Sequence, residues 1–406
     1  MAVRLAPPRG LLPVPGVRAA TARAGMRRKA GDDVALITLG PRTRTAATFT
    51  RNRFRAAPVQ LALEHLERAQ PRAFLINSGC ANAGTGKAGY DDAQRLCAAT
   101  AHALGVGPDE VLPFSTGVIG ARLSVDAMQA AARECVDRLS DDAWRAAAEA
   151  IMTTDTVPKG ASRRLFIGGA DVTVTGIAKG SGMIEPDMAT MLAFIATDAP
   201  LADTPLRACL DTAVNSSFNR ITVDGDTSTN DACVLAATGE APLDPLRDIN
   251  DERSQQLCAA VSDVMTELAQ AIVRDAEGAT KFVTVEVSGG ATQKDCLEVA
   301  YTVARSPLVK TALFASDPNW GRILAAVGRA RAEHLDVSRV ALTINDVAVL
   351  KEGEPDPDYA EEAAARAMSG EEITISIGLG LGTHEATVWT SDLSYDYVRI
   401  NAEYRT

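Results

Sequence analysis

The residues best equipped for chemistry lie in 176–198, GIAKGSGMIEPDMATMLAFIATD, and centre on the bond joining Ala189 to Thr190. A threonine hydroxyl is a weak nucleophile until a base stands beside it. Thr190 can acquire that base without a partner residue, because cutting the preceding peptide bond would expose its own α-amine. An α-amino group titrates at ~7.7–8.0, so at neutral pH a useful fraction is uncharged and able to take the hydroxyl proton. A small Ala189 ahead of the threonine, in a glycine-rich segment, suits attack of the hydroxyl on the Ala189 carbonyl and self-cleavage. An Ala-Thr pair ahead of an apolar run also has an ordinary reading as a strand start, and the pattern alone leaves both open.

The flanking segments must position that bond. Residues 171–175 alternate with the period of a strand. Gly176, Gly180 and Gly182 follow, with Lys179 among them and Pro186 beyond, and this composition predicts a loop from 176 onward. Residues 191–196, MLAFIA, are continuously apolar and predict a buried strand starting directly behind Thr190.

The segment KGSGMIEPDMATML resembles the self-processing segment of the ornithine acetyltransferase family, the bifunctional glutamate N-acetyltransferases of arginine biosynthesis. The similarity continues through LLPVPGVRAA, INSG, STGVIG, IMTTDTVPK, NRITVDGDTSTND, SDPNWGRI and the terminal DLSYDYVRINAEYRT, in order along nearly the whole chain. It implies cleavage between Ala189 and Thr190 into an α chain of residues 1–189 and a β chain of residues 190–406. The implied reaction is ping-pong: Thr190 takes the acetyl group of N-acetylornithine, ornithine leaves, and glutamate receives the acetyl group. By the same resemblance Thr116 and Gly117 form the oxyanion hole, and Thr153, Lys179, Thr190, Glu277, Asn401 and Thr406 bind substrate. Lys179 is expected near the substrate carboxylate. No cofactor or metal is implied, although acetyl-CoA is open as an additional acetyl donor. The implied assembly is two α and two β chains, and the implied fold is α+β, layered mixed sheets with helices outside, as in the aminopeptidases of similar fold.

Composition and charge agree with such an enzyme. The chain has 406 residues, 46% hydrophobic and 23% charged, an ordinary globular composition long enough for two or three lobes. A net charge of -11 argues against nucleic-acid binding, which needs a basic surface. Seven scattered cysteines without CxxC fit reduced thiols in a cytosol. Several arginines precede residue 30, but Pro7, Pro8, Pro13 and Pro15 break any amphipathic targeting helix. No run approaches the roughly 18 apolar residues of a membrane span, so a cytoplasmic protein is expected.

Along the chain, 34–38 and 73–77 predict strands, and 78–86, SGCANAGTG, predicts a glycine-rich turn. That turn has neither GxGxxG nor GxxxxGK[ST], which argues against a nucleotide loop. Relatives commonly carry a cysteine just before its Thr-Gly; here Gly84 stands there and Cys80 lies upstream, which argues against a catalytic cysteine. Residues 91–104 predict a helix, and Ser115-Thr116-Gly117 a tight turn whose hydroxyl and amides could meet an oxyanion. Helices are predicted from about Ser124 and Ser140, each serine as N-cap. The hydroxyl cluster 153–156 follows, with Thr154 the near alternative to Thr153.

Residues 205–215 and 251–274 predict amphipathic helices, the second stopped at Gly278. Glu277 would then sit unfavourably at a helix C-terminus, a hint of another partner. Asp224-Gly225-Asp226 opens like a calcium loop, but Thr229 and Leu235 stand where glycine and glutamate are required. Strands are predicted at 282–287, 339–349, 373–377 and 385–390, helices at 296–314 and 358–368, and a turn at SDPNWGRI. His65, His102, His334 and His384 are scattered and form no HExxH.

Two other functions compete on the same residues. An N-terminal-nucleophile amidohydrolase or aminopeptidase of similar fold would use water in place of glutamate. A non-enzymatic binding protein on the same scaffold would leave the chain uncut.

Overall fold

The computed structural model describes residues 2–27, 30–185 and 191–403. Ala189, Thr190 and Thr406 lie outside the described residues. The chain forms two compact units, one of residues 7–219 and 227–272, the other of residues 1–6, 220–226 and 273–406.

The first unit contains β1 (Val17–Ala22), β2 (Val34–Leu39), β3 (Arg44–Phe49), α1 (Ala57–Arg68), β4 (Ala73–Cys80), α2 (Gly86–Leu104), β5 (Val111–Val118), α3 (Val125–Asp137) and α4 (Trp144–Ala150). It continues with β6 (Lys159–Ile167), β7 (Ala170–Lys179), β8 (Leu192–Thr197), α5 (Asp203–Ser216), β9 (Ala232–Ala237) and most of α6 (Glu252–Arg274). One sheet has the order β1-β2-β4-β5 and a second the order β3-β9-β8-β7-β6. Their facing sides share a core in which Ile37, Phe74, Ile76 and Phe114 meet Phe49, Phe194 and Val234. Phe114 stands edge-on to Phe194 at 4.9 Å and to Phe74 at 5.8 Å, an arrangement that the ring quadrupole favours. The other side of the first sheet carries Leu36 and Leu75, covered by Leu96 of α2 and Met128 of α3. Alternate residues of β2 and β4 thus enter two different cores, which is why residues 34–37 and 73–76 read as continuous apolar runs.

Several boundaries differ from those predicted. Gly176 does not open a loop: β7 runs through it to Lys179. A Cβ there would lie 3.0–3.1 Å from Ile195, Val264 and Leu268, so the glycine marks the tight seating of α6 on the sheet. The helix predicted from 91 begins at Gly86, inside the presumed turn. A Cβ on Gly89 would collide with the Thr85 and Asn82 side chains folded over its first turn. Ser140 caps no helix, since α4 begins at Trp144 and Ser140 instead bridges Ala19. Ser115-Thr116-Gly117 ends a strand, β5, which tolerates Pro113 because it lies at the sheet's edge.

The second sheet interleaves the chain. β3, β6 and β7 precede residue 189, whereas β8 and β9 follow residue 190. β8 pairs with β7 from Lys179↔Leu192 to Val174↔Thr197, and β9 with β3 from Phe49↔Ala232 to Arg44↔Ala237.

The second unit holds β10 (Phe282–Gly290), α7 (Gln293–Ala304), α8 (Pro307–Phe314), α9 (Trp320–Gly328), β11 (Ala341–Ile344), β12 (Val347–Lys351), β13 (Glu354–Pro355), α10 (Glu361–Met368), β14 (Glu372–Gly378), β15 (His384–Ser391) and α11 (Tyr395–Ala402). Its sheet has the order β13-β12-β11-β14-β10-β15. Val283, Val285, Ile375 and Val388 pack there with Val299 of α7, Leu313 of α8 and Ile323 of α9. The single helix predicted over 296–314 is two, divided by Ser306-Pro307, with Ser306 capping the second through the amide of Val309. The strand predicted over 339–349 is a hairpin that turns at Asn345, where φ is +48°. The predicted SDPNWGRI turn contains the start of α9. Both units are mixed, so the protein is α+β, in layered sheets with helices outside.

Candidate active site

In the first unit β4 and β5 run parallel, and their ends approach so closely that only glycine fits. Gly79 stands opposite Gly117. Gly117 has φ +132°, and a Cβ on it would lie 2.3 Å from the Gly79 carbonyl carbon and 2.6 Å from the Cys80 nitrogen. Side chains brace this end of the sheet. Ser115 Oγ donates to Asn77 Oδ1 at 2.6 Å, and the Asn230 side-chain amide donates to the carbonyls of Ala81 at 2.7 Å and Ser115 at 2.9 Å. Asn230 lies two residues before β9, whose Ala232 amide donates to Met191 O at 3.0 Å. The segment 230–232 therefore ties the Thr116 strand end to the residue with which the described chain resumes.

Thr116 and Lys179, each only 8% exposed, meet there: Lys179 Nζ donates to Thr116 Oγ1 at 3.2 Å. A hydroxyl that accepts from an ammonium has one lone pair occupied and its proton directed to a further acceptor. Polarised in this way, in a site nearly closed to water, the hydroxyl is suited to donating to an oxyanion.

Thr153 follows α4 in a turn organised by Asp155. Asp155 Oδ2 accepts from the Thr153 amide at 3.0 Å, while Oδ1 accepts from Lys159 Nζ at 2.6 Å and from the Gly180 amide at 2.8 Å. Burial pushes the Asp155 carboxyl up, but the Lys159 and Lys179 ammoniums with these bonds outweigh it and hold the group well below the usual carboxylate range. Thr153 and Asp155 also line a cleft of about 640 Å³ with Arg27, Asp32, Glu149 and Met152. Thr116, Lys179 and, through Asp155, the Thr153 backbone thus belong to one connected network.

Glu277 and Asn401, both in the second unit, are brought together, Asn401 Nδ2 donating to Glu277 Oε2 at 2.8 Å. Glu277 is not at a helix terminus as predicted, because α6 stops at Arg274. Gly278 is required for another reason: φ is +70°, and a Cβ would lie 2.5 Å from the Tyr397 amide where α11 begins. Ser394, the N-cap of α11, donates to Gly278 O at 2.6 Å and so docks the helix that carries Asn401.

The Cys80 thiol is buried, donates to Ala121 O at 3.2 Å, and is pushed up by burial, the opposite of an activated thiolate. Among the described residues no group of three or more His, Cys, Asp or Glu could hold a metal ion.

Sequence reasoning passed over Asp155, Lys159, Asn77 and Asn230. Asp155 was read as part of a hydroxyl cluster, and its partners at 159 and 180 carry no local signal because the bonds form only when β6 and β7 come together.

A family model described as the ArgJ family matches residues 18–406. The arginine biosynthesis bifunctional protein ArgJ of Pseudomonas syringae pv. tomato is 52% identical over 406 residues, covering 100% of both chains. The protein of the same name from Methylococcus capsulatus is 54% identical over 398 residues, 98% of this chain and 97% of that one. A crystal structure of arginine biosynthesis bifunctional protein argJ from Bacillus halodurans is 38% identical and covers 51% of this chain and 96% of its own, with a TM-score of 0.49. The family model and the two sequence relatives make the chain an acyltransferase. It belongs to the ArgJ family, as its motifs led one to expect.

Proposed function

We propose that this enzyme of arginine biosynthesis transfers the acetyl group of N-acetylornithine to glutamate through an acetyl-threonine at Thr190. The precursor first cuts itself. Thr190 Oγ attacks the Ala189 carbonyl carbon, the peptide nitrogen leaves to become the α-amine of Thr190, and water hydrolyses the resulting ester to an Ala189 carboxylate. That amine then takes the proton of its own hydroxyl as Oγ attacks the acetyl carbonyl, and passes the proton to the departing amine of ornithine. Glutamate enters with a free amine, which attacks the acetyl-threonine to give N-acetylglutamate.

The observation that carries this reading is the bond from the Lys179 ammonium to the Thr116 hydroxyl, beside a glycine whose φ of +132° and close approach to Gly79 disfavour any side chain. Thr116 and the Gly117 amide are proposed to stabilise the tetrahedral oxyanion, each such donor contributing a factor of about 10²–10³ in rate. Lys179 would also attract the substrate carboxylate. Thr153 and Thr406 are proposed as further substrate contacts, and Glu277 with Asn401 as contacts of the ornithine amine. The interleaved sheet supports cleavage without dissociation, since β7–β8 and β3–β9 pairing would hold α and β chains together. We extend the proposal to a cytoplasmic α2β2 enzyme that needs no cofactor and accepts acetyl-CoA as a second donor.

The test is transfer with and without acceptor. Incubation with N-acetylornithine should yield stoichiometric ornithine alone and catalytic ornithine plus N-acetylglutamate once glutamate is added. Equal turnover in both would instead indicate an amidohydrolase. A Thr190→Ala variant should remain uncut and inactive; processing that persisted would overturn the assignment.

A further inference from the structure

A second cleft in the first unit takes no part in the chemistry derived above. It measures about 500 Å³, within the usual range for a small-molecule site, and its lining includes Arg53, Phe54, Arg55, Gly84, Lys87 and Tyr90. No aspartate or glutamate is among the lining residues, so in a chain of net charge -11 this cleft favours an anion. Two carboxylates stand behind the lining, and both are engaged. Asp91 accepts from Lys87 Nζ through both oxygens at 2.7 Å, and Glu64 accepts from the Tyr90 hydroxyl. Arg53 and Arg55 belong to no ion pair among the described residues. Between them Phe54 is 62% exposed, held out by its own loop. Asn52 Oδ1 accepts from the Phe54 amide at 2.9 Å, the Asn52 amide donates to Thr50 Oγ1 at 3.1 Å, and Arg55 Nε donates to Thr50 O at 3.2 Å. An open aromatic face between two guanidiniums can stack a nucleobase and hold its phosphates in bidentate bonds.

The cleft adjoins the strand end that carries Thr116 and Gly117. A Cβ on Gly84 would lie 3.6 Å from the Phe54 ring and 3.9 Å from Ile119 Cγ2, so the ring and Ile119 border the same glycine. Ile119 follows Gly117 by two residues, at most about 7 Å of extended chain. That chain is fixed to the cleft wall, the Ala81 amide donating to Val118 O at 3.0 Å and the Gly120 amide to Ala83 O at 2.9 Å. We propose that this cleft binds the phosphorylated adenosine end of acetyl-CoA, with adenine on Phe54, phosphates on Arg53 and Arg55, and the pantetheine arm running past Ile119 toward Gly117. The glycine-rich turn 78–86, which lacks a phosphate-loop sequence, supplies only a wall. The inference rests on the reading of acetyl-CoA as a second donor. In that reaction Thr190 Oγ attacks the thioester carbonyl, the carbon–sulfur bond breaks, and the sulfur leaves as the CoA thiol with the proton of the hydroxyl. N-acetylornithine, with neither nucleobase nor phosphate, makes no use of the cleft.

The test compares the unaltered full-length protein with Phe54→Ala and with the double variant Arg53→Ala/Arg55→Ala, all three positions being exposed. CoA binding is measured by calorimetry, and initial rates are taken with glutamate as acceptor and either acetyl-CoA or N-acetylornithine as donor. The KM for acetyl-CoA and the Kd for CoA should rise about tenfold in Phe54→Ala and about 100-fold in the double variant, while kcat/KM for N-acetylornithine stays within about twofold. Adenosine 3′,5′-bisphosphate should inhibit transfer from acetyl-CoA and leave transfer from N-acetylornithine unchanged. Absence of CoA binding by the unaltered protein overturns the inference, as do variants that keep both constants within about threefold. Equal losses with the two donors overturn it by making the loop a structural element, and ATP binding as tight as that of CoA overturns it by making the cleft a general nucleotide site. Arginine-dependent binding of CoA without acetyl transfer from acetyl-CoA would instead sink the second-donor reading and leave the cleft a CoA site.

Discussion

Replacing Gly117 with alanine should damage both fold and chemistry, and the size of each effect follows from the geometry. At φ +132° an alanine is strained by about 1–3 kcal/mol. Its methyl would also lie 2.3 Å from the Gly79 carbonyl carbon, a backbone atom that no rotamer change can move aside. β4 and β5 would have to part, and the Asn230 amide that joins the Ala81 and Ser115 carbonyls could no longer reach both. Two hydrogen bonds at about 1 kcal/mol each bring the expected loss of stability to about 3–5 kcal/mol, measurable by urea unfolding. The same displacement withdraws the Gly117 amide from the position proposed for the oxyanion. With steady-state rates for N-acetylornithine and glutamate, kcat should fall about 10²–10³-fold while KM changes little, the pattern of an interaction made only in the transition state. A variant that folded with unchanged stability and kept kcat within about threefold would refute the reasoning.

Two further predictions concern the second unit. Lys310 Nζ donates to Thr390 Oγ1 at 2.9 Å and to Ser391 O, and burial, partly opposed by Asp392 and Asp224, pushes its ammonium down to about 8. In the unfolded chain the same group titrates near ~10.4, so the fold bears the full cost below about pH 8 and is relieved of it as pH rises from there to about 10.4. Stability of the unaltered protein relative to Lys310→Met should therefore rise by about 2–3 kcal/mol between about pH 7.5 and 10.5, and a flat difference would contradict this. Asn401→Ala removes the bond to Glu277 from an exposed residue, so thermal stability should barely change. The KM for N-acetylornithine should nevertheless rise about tenfold, a loss of about 1.4 kcal/mol in binding; an unchanged KM would remove Asn401 from the proposed substrate contacts.

The sequence made some of this molecule legible and concealed the rest for physical reasons. Stretches whose two faces are both buried, such as 34–37 of β2, 73–76 of β4 and 192–196 of β8, announce themselves as apolar runs, because apolar side chains are favoured on either side. Thr116 and Lys179, 63 residues apart, could be paired only by family resemblance, since nothing local in either segment records the approach. Gly176 reads as part of a loop, Gly117 as a tight turn and Gly278 as a helix stop, whereas each marks close packing. Gly176 admits α6, Gly117 admits β4, and Gly278 admits the start of α11. Asp155 was hidden for the opposite reason: a carboxylate among threonines looks like a solvated turn, and only the arrival of Lys159 and Gly180 makes it the hub of a buried network.

The central claim is that Thr190 is a chain terminus and carries the acetyl group. Mass spectrometry under denaturing conditions, on protein incubated with N-acetylornithine and no acceptor, tests both parts together. The expected result is two polypeptides, one ending at Ala189 and one beginning at Thr190, the second heavier by one acetyl group that maps to the threonine and disappears when glutamate is added. An active preparation that proved to be one unbroken chain, or that bore its acetyl group on another residue, would contradict the account.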